Sequence, residues 1–164
     1  MVALSVMGLN WCQHAGWMVV LYDGRRKRRL QVTLQMEDAV IVGQELSGQC
    51  TVHSPLYQLV GAVVRRQPHA ARVTLARAGQ NRASTTVVMD TDDGVQTFPT
   101  STAVGVALAV RAGLPIVADE ALMQACAVGD DEAEAQVGDH RPRPTPIPRA
   151  FHLALVDPPE DETQ

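Results

Sequence analysis

The stretch Ser101 to Met123, STAVGVALAVRAGLPIVADEALM, constrains this chain more than any other segment because it carries its own start and stop signals. Ser101 or Thr102 can cap a helix by accepting a hydrogen bond from a free N–H of the first turn. Gly113 and then Pro115 end that helix. Between these signals nearly every side is apolar. Ala103, Val106, Ala107 and Val110 form one stripe and Val104 and Leu108 lie opposite, so the helix is expected between other layers rather than at the surface. It is too short for a membrane span, which needs about 20 apolar residues. After Pro115, Ile116 to Ala118 reads as a short buried strand, and Asp119 can cap a second helix through Ala121, Leu122 and Ala125.

The rest of the chain supplies a layered core for that unit. Val2, Leu4 and Val6 form a first strand, Trp17 to Tyr22 a second, and Leu30 to Leu34, alternating with Gln31 and Thr33, a third. The period changes at Met36. Ala39, Val40, Val42, Gly43 and Leu46 suit a helix ending near Ser47-Gly48, and Ser54-Pro55 opens another that runs to Arg66. Short strands follow at Arg72 to Ala76, Thr85 to Met89 and Val95 to Phe98, the last two joined by the acidic turn Asp90 to Gly94. The expected fold is α+β: a mixed β-sheet packed with helices, order βββ-αα-βββ-α-β-α, in one domain over residues 1–127. Residues 128–164 read as an acidic then proline-rich tail ending in the apolar patch Phe151, Leu153, Leu155 and Val156. That patch can dock a protein partner or fray.

Composition excludes several function classes. Of the 164 residues 46% are hydrophobic but only 4% aromatic, so the core is aliphatic and base-stacking platforms are not expected. The formal net charge is -4, which gives no global pull toward nucleic acid or an anionic membrane. Cys12, Cys50 and Cys126 are too scattered for a disulfide framework or a clustered zinc site, and the reduced cytoplasm is the expected compartment.

The motif Ala107, Leu108, Ala109, Arg111, Gly113, Pro115, Ile116, Asp119 and Glu120, preceded by Asp38-Ala39-Val40-Ile41 and Val19-Val20-Leu21, resembles the bifunctional nuclease domain family over roughly residues 2–127. The resemblance implies an α+β fold, hydrolysis of phosphodiester bonds in DNA or RNA, a divalent metal such as magnesium or manganese, and a homodimer. Where the family carries Arg-Pro-Ser-Asp, this chain has Ser101, Thr102, Ala103 and Val104. Its Pro-Ile-Trp-Ile-Gly strand is replaced by Gln31 to Gln35, and its Arg-Pro-Leu-Thr-His segment by Cys50 to Ser54.

The chemistry-bearing candidates each have two readings. Asp38, in the family's acidic position beside Glu37, can ligate a metal or complement a helix dipole. His53 can serve acid/base work or cap a helix. Asp90, Asp92 and Asp93 read as a solvated turn, and Asp119-Glu120 as a helix cap. The basic run Arg25, Arg26, Lys27, Arg28 and Arg29 can grip phosphates or keep an edge strand unpaired by charge. Two functions follow from these readings: a nuclease using Asp38 and His53 with the basic run on the phosphates, or an inactive dimeric interaction or nucleic-acid-binding module on the same scaffold.

Overall fold

A computed structural model describes residues 1–50, 53–66, 71–79 and 82–129. The tail candidates, including Phe151, lie outside the described residues, as do His69, His140 and His152. Strands β1 (Val2–Cys12), β2 (Gly16–Asp23) and β3 (Arg28–Leu34) lead into helices α1 (Met36–Leu46) and α2 (Ser54–Arg66). Strands β4 (Ala71–Arg77), β5 (Ala83–Thr91) and β6 (Gly94–Thr100) follow. Helix α3 (Thr102–Ala112), strand β7 (Ile116–Ala118), helix α4 (Glu120–Cys126) and strand β8 (Ala127–Gly129) complete the described chain.

All eight strands join one mixed sheet in the order β6-β5-β4-β7-β1-β2-β3-β8. Only β4 and β7 run parallel; the other pairs are antiparallel. The expected α+β order is therefore present, with one addition. Ala127 to Gly129 is a strand, pairing with Arg28 to Leu30, where the sequence reading had ended in a helix. Three small or β-branched residues carry no periodicity, so only their partner strand reveals them.

The capping logic of Ser101 to Met123 holds in detail. Ser101 Oγ accepts the Val104 N–H at 3.2 Å, Gly113 adopts φ 71° and closes the helix on the Ala109 carbonyl, and Asp119 Oδ1 accepts the Leu122 N–H at 2.6 Å. Helix α3 buries Ala103, Gly105 through Ala109, and Ala112. One face meets Val73 and the sheet, while Ala107, Leu108 and Ala112 meet Tyr57 of α2. The approach to the sheet is close. A Cβ at Gly105 would sit 2.7 Å from Thr85 Cγ2 and 3.2 Å from Val73 Cγ1, so only glycine fits there without movement.

The sheet curls around this core. Helix α4 packs against both β4 and β3, four places apart in the strand order, and plugs one end with the fully buried Leu122 and Met123. Strand β1 makes the bend possible. It pairs with β7 at Val2 to Leu4 and with β2 from Ser5 onward, and a register shift between Val6 and Gly8 turns it from one half of the sheet into the other. No helix among the described residues is long and apolar enough to cross a membrane.

Candidate functional site

The core separates two charged regions, one at each end. At the first end, helices α1, α2 and α3 meet around a buried carboxylate. Glu45 of α1 has no side-chain exposure. It accepts Arg111 Nε at 2.5 Å on one oxygen and the Ser54 hydroxyl on the other. Arg111 Nη2 also donates to the Gln49 carbonyl at 2.9 Å and to Ser54 Oγ at 3.4 Å. An isolated buried carboxylate would be prohibitively costly, and this one is satisfied on both oxygens by a cation and a hydroxyl. The cluster ties the α1–α2 connection to the end of α3.

Of the two residues singled out for chemistry, His53 directly precedes Ser54 of this cluster, while Asp38 sits about two helical turns before Glu45 on α1. Asp38 is half-buried in the first turn of α1, and His53 is exposed at the position from which α2 starts, its carbonyl accepting the Tyr57 N–H at 3.1 Å. His53, rather than Ser54, thus occupies the N-cap position, because the Ser54 hydroxyl is drawn inward to Glu45. Tyr57 of α2 is 6% exposed, and its ring lies 6.2 Å from the His53 ring. Burial pushes the Tyr57 phenol up from its ordinary value, and the negative charges of Glu45 and Asp38 push it further the same way. It therefore stays protonated, a hydrogen-bond donor, at neutral pH. Tyr57 and Glu45 escaped the sequence reading, and Arg111 entered it only as part of the family motif, not as a partner of a carboxylate. Glu45 and Arg111 are 66 positions apart, and nothing local marks them as partners.

The basic run lies at the other end. Strand β3 carries the chain from Arg28 to Leu34, on the order of 20 Å, before α1 begins, so the structure does not bring Arg25 to Arg29 together with Asp38. Nor does the run guard a sheet edge: β3 is interior, covered at Arg28 to Leu30 by β8. Its cations are not equivalent. Asp23, 1% exposed, accepts the backbone N–H groups of Arg25 and Arg26 on one oxygen and Arg28 Nε and Nη2, at 3.2 and 2.9 Å, on the other. Arg28 continues to Glu120 Oε1 at 3.0 Å, joined there by Arg26 at 2.6 Å. Burial alone would raise the Asp23 carboxyl, but the Arg28 guanidinium and the two backbone donors outweigh it and hold the group below the ordinary aspartate range. Arg25, Arg26 and Lys27 remain exposed, Lys27 at φ 51°.

No protein-family model matches this chain, and no curated protein matches it either. The site must be read from its own geometry.

The other acidic candidates have structural partners. Asp119 caps α4, Glu120 joins the Arg26 and Arg28 network, and Asp90 pairs with Arg72 at 3.3 Å. A divalent metal needs several convergent oxygen or imidazole donors. Among the described residues no group of three or more His, Cys, Asp or Glu side chains converges, and both oxygens of Glu45 are committed to Arg111 and Ser54. The donors present beside Asp38 and His53 do not fit a magnesium or manganese cage.

Proposed function

We propose that this chain is a divergent member of the bifunctional nuclease domain family that acts on nucleic-acid phosphodiesters at the Asp38–Tyr57–His53 face. The observation that supports this is Tyr57, a protonated phenol whose ring lies 6.2 Å from that of the exposed His53 and which feels the negative charge of the half-buried Asp38. In this reading His53 moves the proton of the attacking or leaving oxygen, Asp38 balances the imidazolium, and Tyr57 donates a hydrogen bond to the phosphate. The deciding experiment incubates purified protein with labelled single- and double-stranded DNA and RNA, with magnesium, manganese or chelator, beside Asp38→Ala and His53→Ala. Turnover that drops in both variants supports the assignment. Turnover unchanged in both sinks these residues, and no turnover under any condition sinks the enzyme.

A second reading has its own observation. The outer face of α2 exposes Leu56, Leu59 and Val63 at 58%, 61% and 47%, spaced three and four residues apart. A stripe of that kind favours association with a second copy of the chain, in keeping with the homodimer expected of the family. Sedimentation of the wild type and of Leu59→Glu decides it. A dimer that becomes monomeric in the variant supports a dimeric module, and a wild-type monomer removes it.

A further inference from the structure

Helix α4 opens on two adjacent carboxylates, its N-cap Asp119 and its first residue Glu120, that each hold a different hairpin. Asp119 Oδ2 accepts the backbone N–H of Arg77 at 3.1 Å, at the end of β4, while Glu120 Oε1 takes Arg26 and Arg28 from the β2–β3 turn. The β4–β5 connection and the basic run, far apart in sequence and on strands several places apart in the sheet, therefore meet on either side of one dipeptide. Arg77 and Arg82, both exposed, join the five cations of the first hairpin. Within this surface seven cations face three carboxylates, Asp23, Asp119 and Glu120. Asp119 is already spent on the Leu122 and Arg77 N–H groups, and Asp23 on Arg28 and its own turn. The chain's net negative charge is not that of the domain. Residues 1–129 hold eleven of the fourteen Lys and Arg but only nine of the eighteen Asp and Glu, so the domain itself is positive and the remaining acids fall in the tail.

We propose that the two hairpins form one phosphate-binding surface for a nucleic-acid strand, with Arg25, Arg26 and Lys27 on one rim and Arg77 and Arg82 on the other. Six of the seven cations are arginines, whose planar forks match phosphate oxygens in pairs. An anionic membrane is the other common polyanion, but it requires an apolar anchor beside the charge. The large exposed apolar side chains, among them Trp11, Met36, Leu59 and Phe98, lie outside both hairpins. The surface takes its ligand class from the nucleic-acid reading above, yet it sits at the other end of β3 from Asp38.

Binding can be tested without cleavage. The full chain is titrated against short labelled single-stranded and duplex oligonucleotides in chelator, over a range of sodium chloride, beside the double variant Arg77→Gln/Arg82→Gln. Arg72→Gln, a cation of the same strand at its far end and paired with Asp90, serves as the charge control. We expect affinity to fall with salt, and the double variant to bind about tenfold more weakly with a salt slope smaller by about one or two. Arg72→Gln keeps the wild-type slope. An unchanged slope in the double variant, an equal loss in Arg72→Gln, no salt-dependent binding by the wild type, or preferential binding to phosphatidylserine vesicles would each overturn the surface. Salt-dependent binding without cleavage removes the nuclease reading and leaves the surface standing. Cleavage with an unchanged slope in the double variant does the reverse.

Discussion

The two ends of the core use the same chemical pair, an arginine on a carboxylate, to opposite effect. At the α1–α2–α3 end the carboxylate of Glu45 is wholly buried, Arg111 is 17% exposed, and both oxygens are consumed. At the hairpin end the chain of contacts runs from buried Asp23 through Arg28 to Glu120 and finally to Arg26, which is 63% exposed. Burial decides what each pair does. A dry pair, Glu45–Arg111 or Asp23–Arg28, fixes the chain because neither charge can be left alone, whereas the wet pair Glu120–Arg26 is screened by water and salt.

The sharpest way to break the contrast is Glu45→Ala, which strands the Arg111 guanidinium and opens the α1–α2 connection. We expect a loss of about 3–5 kcal/mol in urea unfolding. Replacing both partners, as in Glu45→Met with Arg111→Leu, should recover much of that loss, because the penalty belongs to the unpaired charge rather than to the missing bond. A double variant as unstable as the single would show that the ion pair itself holds the helices together.

Next in size comes Asp23→Ala, which removes the acceptor of two backbone N–H groups and of Arg28. A loss of about 1.5–3 kcal/mol is expected from hydrogen bonds to a charged group. The same residue gives the hairpin end a pH signature. Because its carboxyl titrates lower in the folded than in the unfolded chain, its contribution is complete above about pH 4 and drains away as pH falls through the folded value. Acid titration of wild type against Asp23→Asn should therefore converge at low pH. The smallest effect belongs to Arg26→Gln, which should leave the thermal midpoint unchanged at physiological salt. A clear drop there would mean that the hairpin end is as structural as the buried one.

Much of this contrast was written in the sequence only on one side. The unit from Ser101 to Met123 announces itself because caps, stops and apolar spacing are local, and the same holds for the β2–β3 turn and for α1. What could not be read was long-range. Glu45 looks like any polar residue near a helix end until Arg111 arrives from 66 positions away. Ser54 reads as a cap, and becomes instead a donor to that carboxylate. The five cations at Arg25 to Arg29 look uniform in the sequence. Only the fold divides them into those held by Asp23 and Glu120 and those facing outward. The distance between the basic run and Asp38 also depends on strand direction, which composition does not encode.

The short strand β8 has one more effect. By seating Gly129 opposite Arg28, it fixes the point from which the remaining chain departs, and the next residues are Asp130, Asp131, Glu132 and, two further on, Glu134. In sequence, a run of acids thus follows directly on the strand that pairs with the most basic turn. Any attraction between them is governed by an effective concentration that dilution cannot lower, and the salt that weakens a nucleic-acid contact weakens it too.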